Sequence, residues 1–357
     1  MKHSTRRTFI KNIAIGTSVA ALAPLNVSWK NSTEIKSANI EKIFPKRLKK
    51  GDTIGLVSPG GFIDDDQLEE SVKNIEKLGF KPYYRDIVTA REGYFGGTDK
   101  VRANDLMHMF TNKSVDAILC TRGGYGSNRI LDLLDFEKIR QNPKALIGYS
   151  DVTSLLIAIY QKTGLIGFHG PVGISTFNEF SVKSFEKVLI KAKKQYKYAN
   201  EREKDTEKNS DYDKYTITKG KAEGNLIGGN LVMLTTLIGT KYEPDFENKI
   251  VFMEEIREKP YKIDRMITHL LMATNIAKAS GIILGIFNKC DIDKDEIEES
   301  YTLKEALYKR LSSLNLPCFY GMPFGHVSNK ITLPVGVIAK MNADKQTLTL
   351  TEAAVMK

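Results

Sequence analysis

The sequence predicts an α/β protein, with a parallel sheet flanked by helices in its first half and a mixed α+β second half that ends rich in strands. Three observations predict this. Short apolar runs alternate with stretches of helical spacing between residues 52 and 170. Glycine- and serine-bearing turns (Pro59-Gly60-Gly61, Gly123-Gly124, Ser150) fall at the carboxyl ends of those runs. The pattern breaks off in a polar stretch and then restarts at Gly224-Asn225-Leu226-Ile227-Gly228-Gly229-Asn230.

Taken in order, Asp52–Val57 reads as a buried strand ending in Ser58-Pro59-Gly60-Gly61, and Leu68, Val72, Ile75 and Leu78 share one helix face closed by Gly79. Lys81–Asp86 is a short second strand. The loop Gly93–Asp99 opens a helix carrying Val101, Leu106 and Met109. Val115–Thr121 is a third strand, ending in Arg122-Gly123-Gly124-Tyr125-Gly126-Ser127, and a helix through Ile130, Leu133 and Leu134 follows. Ala145–Ile147 is the central strand. After a very short turn holding Gly148, Ser150 and Asp151, Val152, Leu155, Leu156 and Ile159 mark one helix face. Leu165–Phe168, running into His169-Gly170-Pro171, closes the set as a parallel, flavodoxin-like sheet whose ligand crevice lies beyond the strand ends. In the second half, Lys249–Met253 (before Glu254-Glu255) and Gly281–Phe287 read as strands, and Leu231–Leu237, Tyr261–Ala273 and Leu303–Leu314 as helices. From Phe319 on the chain is strand-rich, with a hairpin at Asn342–Lys345.

This divides the chain into residues 1–30 (a signal and the start of a polar tether spanning 24–45), 45–180 (the first α/β domain), 181–220 (a polar linker or insertion) and 221–357 (the second domain). The N-terminal assignment rests on Thr5-Arg6-Arg7-Thr8-Phe9-Ile10-Lys11, a twin-arginine pattern, before an apolar run from Ile13 to Leu25. That run is too short for an ordinary membrane span, and Ala21-Leu22-Ala23 resembles a signal-peptidase site. The expectation is an exported, periplasmic protein with no membrane span once the signal is removed.

Composition narrows the function. The chain has 357 residues, 41% hydrophobic and 27% charged, as ordinary globular proteins do. Of its formal charge of +10, four charges (Lys2, Arg6, Arg7, Lys11) lie in the expected signal. No basic cluster is interleaved with aromatics, so a nucleic-acid partner is not expected. Three scattered cysteines, Cys120, Cys290 and Cys318, make neither a disulfide framework nor a zinc site. The five histidines show no metal-ligand spacing, and the glycine loops match neither a P-loop nor a dinucleotide fingerprint, so no cofactor is expected.

Ser150 is the residue with the most specific chemistry. A serine at a sharp strand-to-helix turn stands beside free helix N–H groups, which favour an oxyanion, although it or Asp151 could equally cap the helix. A serine nucleophile needs a base and an orienting carboxylate. On residues alone, His326 in its glycine-bearing loop and His169 on the neighbouring strand are both candidates for the base. Asp151, Glu254 and Glu255 are all candidates for the carboxylate. His108 and His269 lie within helix patterns.

Several ordered segments resemble the serine LD-carboxypeptidases, a family that includes muramoyltetrapeptide carboxypeptidases and microcin-immunity hydrolases. They are Gly51–Ile54 with Ser58-Pro59, Gly97-Thr98-Asp99, Arg122–Gly126, Ile147–Thr153, Phe168–Pro171, Gly228–Leu231, Phe252–Glu255, Pro260-Tyr261 with Ile263–Arg265, and Gly325-His326 before Leu333–Gly336. The resemblance runs from about residue 45 to 350 and implies a triad split across the two domains. Ser150 would be the nucleophile, His326 the base and Glu254 the carboxylate. Backbone N–H groups of Asp151 and of Gly123 or Gly124 would form the oxyanion hole, leaving His169 structural or substrate-lining. It further implies cleavage of the L–D amide that releases terminal D-Ala from a peptidoglycan tetrapeptide, through an acyl-enzyme, with a muropeptide as partner and a homodimer as assembly. Met253-Glu254-Glu255 stands where Leu-Glu-Asp is usual, which keeps Glu255 as a rival. A hydrolase of modified peptides or peptidyl-nucleotides, and a non-catalytic envelope-binding protein, are the competing expectations.

Overall fold

The computed structural model describes residues 41–201, 209–292 and 300–356; the expected signal, 1–30, lies outside them. The described residues form one compact unit, built on two sheets.

The first half follows the predicted alternation. Strand β1 (Thr53–Val57), helix α1 (Asp65–Lys77), β2 (Lys81–Tyr83), α2 (Asp99–Thr111), β3 (Ala117–Cys120), the short α3 (Ser127–Ile130) and α4 (Phe136–Gln141), β4 (Ala145–Gly148), α5 (Thr153–Thr163) and β5 (Phe168–His169) run in order. All neighbouring strands among these five are parallel, in the order β2-β1-β3-β4-β5, the flavodoxin order. Every residue of β3 and β4 is buried, as a parallel sheet covered on both faces requires. Helix α1 starts at a capping box in which Asp64 and Gln67 satisfy each other's backbone N–H. Helix α5 is buried almost all round, because its far side meets the second sheet. There Thr153 Oγ1 accepts from Asn230 N at 3.0 Å, and Gln161 Nε2 donates to Glu243 O at 2.6 Å. Cutting a fully buried side chain such as Leu155 to alanine would cost about 2–5 kcal/mol.

The second half contributes α6 (Glu179–Phe185), β6 (Tyr196–Lys197), β7 (Tyr215–Thr218), β8 (Lys221–Asn230), α7 (Leu231–Thr236), β9 (Lys249–Ile256), α8 (Pro260–Ala273), β10 (Gly281–Asn288), α9 (Leu303–Leu311), β11 (Cys318–Tyr320), β12 (Leu333–Pro334), β13 (Ile338–Asn342) and β14 (Thr347–Leu350). The second sheet has the order β6-β14-β13-β8-β9-β10-β11-β7, parallel through β8-β9-β10-β11 and antiparallel at both flanks.

The structure differs from the expected layout in four places. In the stretch 181–220, expected as a polar linker or insertion, the described residues hold part of α6 and both edge strands of the second sheet, β6 and β7. Edge strands leave one side to solvent and so tolerate polar sequence; anchoring falls to Tyr198, 2% exposed and donating to Thr332 O at 2.8 Å, and to Tyr215, stacked on Tyr320 at 4.9 Å. Strand β12, from the expected second domain, instead extends the first sheet, antiparallel to β5. At the end of the expected tether, Ile43 is paired to Leu165, with N–H···O bonds to Gly164 and from Ile166. The helix expected through Leu134 stops at Ile130 and gives way to one 3-10 turn, which leaves Leu133 46% exposed.

Candidate active site

The site is assembled where the carboxyl end of β4 meets the second sheet. Strand β4 is held between β3 and β5, so the turn after it is fixed at both flanks. Ser150 occupies that turn with φ 63°, in the left-handed region that a non-glycine residue holds only at a cost of about 1–3 kcal/mol. The strain aims its Oγ out of the sheet edge toward the second half. Gly148 permits the tight turn, since a Cβ there would stand 2.8 Å from Val152 Cγ1.

Beside Ser150, the loop from Arg122 to Ser127 is held by the neighbouring Asp151. Its buried carboxylate accepts from Gly126 N at 3.2 Å and Ser127 N at 2.9 Å. Burial pushes the Asp151 carboxyl upward, against those hydrogen bonds. Asp151 is therefore a loop anchor, with no hydrogen bond to a histidine among the described residues. Arg102 gathers the same loops from behind: fully buried, it donates to Pro59 O, Gly97 O and Gly126 O and pairs with Asp99. Gly123 lies directly on Ser150, because a Cβ there would sit 2.8 Å from Ser150 Cβ and 3.0 Å from its Oγ. Gly124 instead packs on Gly61. Neither Gly123 nor Gly124 donates its N–H to a carbonyl among the described residues.

The second sheet supplies the partners. His326 follows Gly325, whose φ of 97° and missing side chain let the loop rest on Glu254; a Cβ there would lie 2.4 Å from Glu254 Oε2. His326 Nε2 stands 3.1 Å from Ser150 Oγ, and its Nδ1 is 2.8 Å from Glu254 Oε2. Asn288 Nδ2 donates to His326 O at 2.7 Å, fixing the loop, and the Tyr149 ring packs edge-on to the imidazole at 4.9 Å.

Successive side chains on β9 face opposite ways, which separates the two glutamates. Glu254, with no exposed surface, faces the imidazole. Burial would push its carboxyl up, but His326 first, and His169 with it, hold it well below the usual carboxylate range. Glu255 faces the start of α7, accepting from Asn230 Nδ2 at 2.9 Å, Val232 N at 2.8 Å and Ile256 N at 2.9 Å. Burial, with the charge of Glu254, pushes it up to about 7.

Of the sequence candidates, Ser150, His326, Glu254, Asp151 and Gly123 thus converge. His169 is buried behind Glu254, and Glu255 faces away. His108 is bonded to Tyr83 Oη at 3.0 Å, and His269 is exposed. Ser150, His326 and Gly123 open on a cavity of about 440 Å³ that Arg122, Tyr149 and Lys330 also line. A larger hollow of about 940 Å³, between α6, β6 and β14, contains none of the convergent residues. Lys330 was missed in the sequence. It is buried with its Nζ 4.7 Å from the Tyr149 ring and donating to Val327 O at 2.6 Å, and no local pattern marks it. Arg102 was missed too, since it reads as an ordinary charged residue on a helix.

A serine hydroxyl in contact with an imidazole that is itself seated on a buried carboxylate has the geometry of a serine hydrolase. Comparison with known proteins narrows the class. Residues 54–170 match the LD-carboxypeptidase N-terminal domain and residues 223–341 the LD-carboxypeptidase C-terminal domain. The chain is 36% identical over 308 residues to a probable murein peptide carboxypeptidase of Bacillus subtilis, covering 85% of this chain and 92% of that one. It is 31% identical to the microcin C7 self-immunity protein MccF of Escherichia coli, covering 85% and 94%. The wild-type apo structure of MccF superimposes with a TM-score of 0.79 at 30% identity, over 88% of this chain and 100% of the other. The muramoyltetrapeptide carboxypeptidase of Oxalobacter formigenes superimposes at 0.71 and 29% identity, over 84% and 97%. The chain belongs to the LD-carboxypeptidase family and is a serine-type carboxypeptidase.

Proposed function

We propose that this carboxypeptidase releases the terminal D-Ala from peptidoglycan tetrapeptides, with Ser150, His326 and Glu254 acting as a triad. The observation that carries the reading is the unbroken run of contacts from Ser150 Oγ through both ring nitrogens of His326 to Glu254. Neutral His326 takes the Ser150 proton at Nε2 as Oγ attacks the carbonyl carbon of the L-residue. The oxyanion forms toward the N–H groups of Asp151 and of the loop glycine packed on Ser150, Gly123. Glu254 keeps the imidazole in the Nδ1–H tautomer and stabilises the imidazolium. The C–N bond then breaks, the Nε2 proton passes to the leaving amine, and D-Ala departs. Water, deprotonated by His326, releases the shortened peptide from Ser150. Arg122 and Lys330 line the same cavity and supply the cationic character that a substrate ending in a carboxylate calls for.

The test is mass spectrometry of the purified chain incubated with a muropeptide tetrapeptide and, separately, with the D,D-pentapeptide. Loss of one D-Ala from the tetrapeptide alone is expected; cleavage of the pentapeptide alone, or of neither, would overturn the assignment. The similarity to MccF favours a second reading, hydrolysis of a peptidyl-nucleotide, since MccF has been solved in complex with aspartyl sulfamoyl adenosine. A peptidyl-adenylate included in the same assay separates the two. We also propose export by the twin-arginine route, on the strength of Arg6-Arg7; replacing both by lysine should retain the protein in the cytoplasm on fractionation.

A further inference from the structure

His169 takes no part in the proton transfers between Ser150 and the leaving group, yet it is among the most tightly held residues near them. Its backbone is paired on both sides, with Gly148 of β4 and Leu333 of β12. Its ring has no exposed surface and sits among Phe252, Tyr149 and Phe324, with centroids 5.5, 6.0 and 6.1 Å away. Among the described residues neither ring nitrogen of His169 has a hydrogen-bond partner, and Glu254 Oε1 has none either. The two face each other, His169 Nε2 lying 3.8 Å from Glu254 Oε1. Buried polar atoms are rarely left unpaired, and an approach of about 1 Å would make this contact an ordinary hydrogen bond.

We infer that His169 is a positioning residue whose Nε2–H donates to Glu254 Oε1 and so turns Oε2 toward His326. The inference rests on the triad reading above and deepens it. Glu254 is otherwise held through Oε2 alone among the described residues, and a carboxylate held at one oxygen can swing about its terminal bond. A donor at the second oxygen fixes its plane. The contact also joins the halves of the molecule, since His169 stands on the first sheet and Glu254 on the second. This gives the Phe168-His169-Gly170-Pro171 segment a task that the proton transfers alone leave unassigned.

The test uses the full chain with His169→Phe, which fills the aromatic box without a donor, and His169→Gln, whose amide can restore one. Three quantities are read: the rate at which a fluorophosphonate phosphonylates Ser150 with loss of fluoride, located by peptide mass, and kcat and KM on the tetrapeptide. In His169→Phe, phosphonylation and kcat should both fall about 10- to 100-fold, as loss of a hydrogen bond to a charged group implies. KM should stay put, because His169 does not line the cavity. His169→Gln should recover most of the loss. Phosphonylation of His169→Phe at the wild-type rate, or equal defects in the two variants at equal melting temperature, would overturn the role of His169. If His169→Phe does not fold, His169→Met replaces it under the same criteria. Failure to label Ser150 in the wild-type chain would instead overturn the nucleophile assignment itself, and the positioning role with it.

Discussion

The first sheet equips the cleft chiefly with backbone, the second with side chains. At the ends of β1, β3 and β4, Ser150 is held at φ 63° and Gly123 lies against it, while the side chains of Asp151 and Arg102 hold loops. From β9 and the loop after β11 come Glu254 and His326, whose value lies in the ionisable groups they carry. The difference follows from topology. Parallel strand ends present converging turns and helix N-termini, which serve as donors. A buried central strand such as β9 can place a carboxylate where no water reaches it. Damage to one side should therefore resemble misplacement, and damage to the other a change of charge.

Four substitutions sharpen that contrast, beginning with the largest effect. Ser150→Ala should cut turnover on the order of 10⁴-fold or more with the far-UV spectrum unchanged, because alanine keeps the Cβ that the turn already accommodates. Glu254→Gln should lower kcat by about 10³- to 10⁴-fold, since the amide offers no charge to the imidazolium and favours the wrong tautomer. Gly123→Ala should reduce kcat by about 10²-fold. Its new Cβ would meet Ser150 at 2.8 Å, so the defect is steric and steady-state kinetics should show it with little change in its pH profile.

The smallest effect separates the two adjacent glutamates. Glu255 keeps its proton up to about 7 in the folded chain against an ordinary value of 4.5. Its contribution to stability is thus complete below about 4.5 and is lost as pH rises through 7. Glu254, held low, has the opposite sign: its contribution is present above 4.5 and is lost as pH falls below it. Urea unfolding at about pH 5 and about pH 7.5 should show that Glu255→Gln flattens the decline over this window, by up to about 3 kcal/mol. An unchanged slope would mean that Glu255 is ionised throughout.

The legible parts of the sequence were those that local pattern controls. Buried parallel strands such as Ala117–Cys120 and Ala145–Gly148 are continuous apolar runs, and the Ser150 turn declares itself by lying between such a run and a helix. The edge strands Tyr196–Lys197 and Tyr215–Thr218 were hidden because half of each faces solvent, and Leu333–Pro334 gives no local sign that it belongs to the first sheet. The choice between His326 and His169, or between Glu254 and Glu255, was not local either. It depends on a contact between residues 150 and 326 and on which way β9 turns each carboxylate, so residue chemistry alone left both choices open and only the family resemblance favoured one. Arg102 shows the same limit: its buried bonds to three loops exist only once the strand ends are brought together.

The central claim, that Ser150 carries the peptide as an acyl-enzyme, is tested most directly by rapid-quench mass spectrometry of the chain mixed with tetrapeptide. A transient mass increase equal to the substrate minus D-Ala is expected, mapped to the peptide containing Ser150 and absent in Ser150→Ala. Release of D-Ala by Ser150→Ala at the wild-type rate, with no adduct at that position, would contradict it.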